Sequence, residues 1–156
     1  MYRFSVAVML LWVTALAFAA DEDPNEAELK KLEGDWQLTR QEDRGSLTPK
    51  PIVGNLRIVI EGNEMAWYIG NPASNQTADL KVDAKANPKT IDAEITKGSA
   101  ISKVMLGIYK LDKDTLEICW GDPGSDKRPK KFTSRPSVGS GSTLVIYKRE
   151  KEKQDK

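Results

Sequence analysis

Residues Gly107–Pro129, GIYKLDKDTLEICWGDPGSDKRP, decide how this chain is read. Side chains alternate between the two faces of a strand. Leu106, Ile108 and Lys110 therefore share one face, and Met105, Gly107, Tyr109 and Leu111 the other. After Asp112-Lys113-Asp114 the alternation resumes, with Leu116, Ile118 and Trp120 opposite Thr115, Glu117 and Cys119. Two alternating runs joined by a short polar link predict a β-hairpin. Asp suits the link because its carboxylate bonds nearby backbone N–H groups. Gly121, Pro123 and Gly124 stop the second strand, and Arg128, preceding Pro129, is steered to an extended backbone. Asp112, Asp114 and Glu117 are oxygen donors of the kind a hard cation takes. They lack the spacing of a calcium loop, and turn chemistry accounts for them, so no metal site is assigned.

Outward from the hairpin, the same pattern recurs. Gln37 to Arg40, Leu56 to Ile60, Met65 to Ile69, Ala78 to Val82, Ile91 to Ile95 and Thr143 to Arg149 each alternate as strands. Trp67 and Tyr68 fall on opposite faces. A short edge strand is expected over Lys130 to Ser134, and a loop over Asp43 to Pro51, where Gly45, Pro49 and Pro51 are turn formers. Near the start, Asn25 is expected to cap a short helix over Glu26 to Leu32, with acidic residues first, Lys30 and Lys31 last, and Gly34 as its stop. Regular short strands with turns between them predict an all-β sandwich or barrel. Short links favour antiparallel up-and-down order. The fold expected is an antiparallel up-and-down barrel of about eight strands with a short N-terminal helix. A barrel of that size is filled by side chains or holds one small ligand.

Residues 1–19 read as a secretory signal peptide, with Arg3 at the start, an apolar run from Val6 to Phe18 and small residues at Ala17 and Ala19. The apolar run is shorter than the ~20 residues a spanning helix needs, so no integral membrane segment is expected after cleavage. An exported domain, periplasmic or extracellular, is expected over residues 20–150, followed by a charged tail over 151–156. The chain has 24 Lys+Arg and 23 Asp+Glu, and removal of Arg3 balances them. Nothing in that balance points to nucleic acid. Cys119 is alone, so no internal disulfide can form; its strand position makes it a small core residue. The chain contains no His, which removes Ser-His-Asp and Cys-His catalysis and His-based metal sites. Carboxylates two apart, such as Asp92 and Glu94, are more often a solvated strand face than an acid–base pair. Asn75-Gln76-Thr77 matches a glycosylation acceptor, a match that chance often produces.

Gly34-x-Trp36 opens the first strand and Arg149 closes the last. In a closed eight-strand barrel those strands are neighbours, so Arg149 can stack on the Trp36 ring as a barrel-closing pair. This arrangement resembles the lipocalins. A closer resemblance spans nearly all of residues 20–150. KLEGDWQLT (31–39), NPKTIDAEI (87–95), GIYKLDKDTLEICW (107–120), KRPKKF (127–132) and LVIYKRE (144–150) resemble the lipocalin-like domain family of unknown function abundant in planctomycete bacteria. The resemblance implies an exported bacterial barrel and no activity, since the family has none established. Lys113 departs from it, standing where a Gly is expected in the hairpin turn.

Two functions follow as expectations. The first is a non-catalytic module binding a small apolar or amphipathic molecule, with Trp67, Tyr109 and Trp120 lining the site and Arg128 as a polar anchor at the rim. The second is a structural or interaction domain with a filled barrel, meeting an envelope protein partner. No cofactor is implied. An internal cavity separates the two.

Overall fold

The computed structural model describes residues 22–70, 76–135 and 141–150. Residues 1–19, expected as a signal peptide, the charged tail over 151–156 and Asn75 lie outside them. Eleven elements follow along the described chain: α1 Pro24–Leu32, β1 Gly34–Asp43, β2 Ser46–Leu47, α2 Lys50–Val53, β3 Leu56–Glu61, β4 Glu64–Ile69, β5 Gln76–Asp83, β6 Thr90–Lys97, β7 Val104–Asp112, β8 Thr115–Gly121 and β9 Ser142–Arg149. From β3 to β9 each strand pairs antiparallel with the next; β1 pairs with both β3 and β9 and closes the ring. Eight strands thus form an up-and-down barrel, with β2 as a two-residue flap on the end of β1.

Alternation sorts each strand into an inner and an outer face. Ile91, Ala93 and Ile95 are buried in the interior, while Asp92 and Glu94 between them face out. Leu116, Ile118 and Trp120 of β8 and Val145 and Tyr147 of β9 join the same interior cluster. A bulge between Leu38 and Arg40 shifts the parity of β1, so that Gln41 comes opposite Val145. Ile108, Cys119 and Leu144 face outward and still are buried, because Phe132 packs over them. Cys119 is therefore a core residue of this small outer cluster, and burial pushes its thiol pKa up.

The barrel has two unlike ends. The β3–β4, β5–β6 and β7–β8 turns lie at one, and α1 closes it. Leu32 is fully buried and Leu29 packs beside it. The Trp36 indole N–H donates to Leu32 O (2.8 Å), Ala84 N–H to Asn25 Oδ1 (3.0 Å), and Lys89 Nζ to Glu28 Oε1 (2.5 Å). At the other end lie the connections from β1 to β3, β4 to β5, β6 to β7 and β8 to β9.

Three local expectations change. The helix begins at Pro24 rather than Glu26, and Asp23, not Asn25, caps it, accepting from Asn25 N–H at 3.0 Å. Proline at the first position lacks the N–H that would need a partner, so it extends the helix backwards at no cost. The stretch expected as loop over 43–51 holds β2 and the start of α2. Lys130 to Ser134 forms no strand. A closed ring leaves no free edge for it to join, so the segment lies along the outer wall instead.

Candidate functional site

A cup opens at the end opposite α1, with a volume of about 380 Å³. Its apolar wall comes from inward residues near the strand ends, chiefly Leu38, Ile58, Trp67, Met105, Trp120 and Tyr147. Gln41, Gln76 and Thr143 add polar atoms. The strand register explains the grouping. Ile58 is opposite Trp67, Gly107 opposite Trp120, and Leu38 opposite Tyr147. Gly107 has a specific duty here, since a Cβ on it would lie 2.7 Å from Trp120 Cε3. Its bare backbone lets the indole lie flat across β7.

Of the residues read from the sequence, Trp67 and Trp120 meet in the cup. Tyr109 is inward but lies deeper, towards α1, and is 1% exposed. Its hydroxyl is buried near Glu28 and makes no hydrogen bond of ordinary geometry. Burial first, then the nearby Glu28 and Asp83 carboxylates, hold its pKa well above the usual phenol value. Glu28 is itself 3% exposed. Burial raises its pKa, but hydrogen bonds and charge from Lys89 and Lys31 together outweigh burial and leave it lowered. Tyr109 thus belongs to the floor.

Arg128 is not at the mouth. Its Nη1 and Nη2 donate to Asp92 Oδ1 (2.5 Å) and Oδ2 (3.0 Å), and Nη1 also to Gly107 O (2.7 Å). Asp92 faces out, so this two-pronged pair ties the β8–β9 connection to the outer wall. Gly121 allows the return, because a Cβ there would lie 2.7 Å from Lys127 O.

The closing pair sits at the far end. Trp36 is opposite Arg149 in the β1–β9 register, and the guanidinium carbon lies 4.1 Å from the indole centroid. Arg149 also donates to Lys31 O (2.8 Å) and to Glu33 O, holding the end of α1. Gly34 makes this possible. Its φ is 129°, and a Cβ would lie 2.6 Å from Arg149 Nη1.

Sequence reading missed Tyr147, Met105 and Gln41 as cup residues. Tyr147 was accessible, because it shares a face with Arg149 two residues on. Met105 shares the face assigned to Tyr109. Gln41 carried no such signal, as the bulge that turns it inward is a tertiary feature.

Two larger depressions are walled by charged side chains. One, about 1120 Å³, runs past Glu33, Asp35, Glu61, Asp114 and Arg149; the other, about 660 Å³, past Lys127, Lys130, Lys131 and Arg135. The first is more open than the cup; the second is as enclosed, but its wall of Lys and Arg side chains suits an apolar molecule less. Among the described residues no three Cys, Asp or Glu side chains are gathered to hold a metal ion. Glu117, one of the three carboxylates near the hairpin turn, is taken up by Lys110 at 2.7 Å. No helix among them is long and apolar enough to cross a membrane. Compared with protein-family models, curated proteins and solved structures, the chain finds no match.

Proposed function

We propose that the chain is an exported, non-catalytic binding module of the lipocalin-like kind, holding one small apolar or amphipathic molecule in the open cup. The observation that carries this reading is the cup itself. A volume of about 380 Å³ falls in the ~300–1,000 Å³ range of small-molecule sites. Its wall is aromatic and aliphatic, and its few polar groups lie where an amphipathic molecule would leave its polar end. Export rests on the leader-like residues 1–19, and the kinship on the five sequence stretches quoted above. The absence of His from the whole chain supports a non-catalytic role.

Native mass spectrometry of the protein purified from its own cell envelope tests the proposal. The expected result is a co-purifying small molecule, released on unfolding. Met105→Trp, which fills the cup, should abolish its capture while the far end of the barrel stays folded. A bare monomer would favour the filled-barrel reading, and a complex with an envelope protein the interaction domain.

A further inference from the structure

Among the described residues, the large apolar side chains that stand exposed are Leu47, Ile52, Ile69 and Ile101, each 54% to 64% exposed. All four are at the open end. Leu47 is in β2, Ile52 in α2, Ile69 at the end of β4, and Ile101 in the β6–β7 connection. A single exposed Ile is ordinary on a protein surface. Four from separate segments around one opening form a pattern.

Charge sorts the same way. The connections of the open end carry Lys50, Lys103, Lys127, Lys130, Lys131 and Arg135, besides Arg44, which pairs with Asp122, against Asp126 among the described residues; Arg128, held by Asp92 on the outer wall, is left out of this balance. Arg135 reaches the tip at Gly45, and Lys103 lies along Gly124. The closed end lacks that excess. There α1, its flanks and the three turns bring Glu22, Asp23, Glu26, Glu28, Glu33 and Asp114 against Lys30, Lys31, Lys85, Lys89 and Lys113. Positive charge is thus concentrated at one end of the barrel axis although the total charge is near zero.

We propose that the open end docks on an anionic phospholipid bilayer, its apolar tips entering the headgroup boundary and its Lys and Arg side chains meeting lipid phosphates. A second copy of the chain would bring the same positive face against itself, and like charge opposes that pairing. A protein groove would have to match separated tips in one register, whereas a fluid surface takes all of them at once. The docking does not require the cup to be occupied. It would bring the mouth of the cup against the lipid.

The test uses the full chain with a solvatochromic label at Ile101→Cys, compared with the same label at Lys113→Cys in the β7–β8 turn of the opposite end. Cys119 is 0% exposed and is not expected to take label. Vesicles are phosphatidylcholine alone or mixed with phosphatidylglycerol. The expected result is a blue shift of the label at 101 with the anionic vesicles, little with the neutral ones, and none at 113. Raising salt well above the physiological level should reverse the shift. Lys50→Glu with Lys103→Glu should weaken the anionic-vesicle affinity by at least roughly tenfold, and Met105→Trp should leave it unchanged. An unmoved label at 101, equal shifts at 101 and 113, equal response to neutral vesicles, or indifference to the charge reversal would each overturn the proposal. So would a dimer or an acidic-protein complex that forms through these residues while vesicles are ignored. Comparing two label positions separates docking of the barrel end from any insertion of residues 1–21, which would leave both labels unmoved. Loss of small-molecule capture with docking retained would count against the cup alone.

Discussion

Arg149 stacks on Trp36 because a residue without a side chain stands next to it. Gly34 meets two demands at once: a φ of 129° that side chains rarely adopt, and an open path for the guanidinium. The stack is also tied to α1 through the carbonyls of Lys31 and Glu33. One position therefore joins barrel closure to the cap on its end. Gly34→Ala should cost about 1–3 kcal/mol from backbone strain, with further loss as Arg149 is displaced. Urea unfolding of the variant checks this, and Arg149→Met in the Gly34→Ala background should cost less than in the native chain, since the contact is already gone. Additive losses would mean that the two residues act separately.

The hairpin of β7 and β8 shows how an element can hold a locally unfavourable residue. Lys113 sits in its turn with φ of 50°, a conformation that costs a residue with a Cβ about 1–2 kcal/mol. Pairing from Asp112↔Thr115 to Gly107↔Trp120, together with the burial of Tyr109, Leu116, Ile118 and Trp120, outweighs that strain. Lys113→Gly relieves it but enlarges the freedom of the unfolded chain, which offsets ~0.4–1 kcal/mol. The expected net gain is roughly 0.5–1 kcal/mol, read as a higher thermal midpoint with an unchanged circular dichroism spectrum. The outer cluster of Ile108, Cys119, Leu144 and Phe132 is a second element-level device. It lets one connection cover apolar residues outside the barrel, with Arg128 and Asp92 as its clasp.

At the scale of the whole molecule, buried ionisable groups set opposite limits in pH. Burial holds the pKa of Tyr147 above the usual phenol value, as it does for Tyr109 with help from Glu28 and Asp83. The folded chain therefore keeps protons that the unfolded chain releases above about pH 10. Stability present below that pH should fall as pH rises through and beyond it. Tyr147→Phe removes one such proton and should make the alkaline decline of the urea midpoint less steep. On the acid side Glu28 is lowered despite its burial, and Glu42 is lowered by hydrogen bonds from Arg40 and Ser134. Their contribution is present above about pH 4.5 and is lost as pH falls through their folded values. Glu28→Gln should blunt that acid decline, and an unaltered slope would remove Glu28 from the account.

The sequence by itself determined the strands, because period-two alternation is imposed locally by the geometry of each strand. Ile91, Ala93 and Ile95, or Leu116, Ile118 and Trp120, could be turned inward with no knowledge of their partners. It also brought Trp36 and Arg149 together, since an up-and-down order that closes makes the first and last strands neighbours. Of the four residues expected at the site, Trp67 and Trp120 come to the cup by the same rule. What alternation does not contain is height along the barrel and position outside it. Tyr109 has the right face and the wrong depth. Arg128 lies in a loop whose path depends on Asp92, 36 residues earlier. Gln41 turns inward only through a bulge in the pairing with β9. Which turns share an end follows from the antiparallel order, but gathering them around one opening, and with it the open cup and the plug of α1, needs the ring to close through β1–β9 contacts between residues about a hundred positions apart, such as Asp43↔Thr143, and no local pattern carries that.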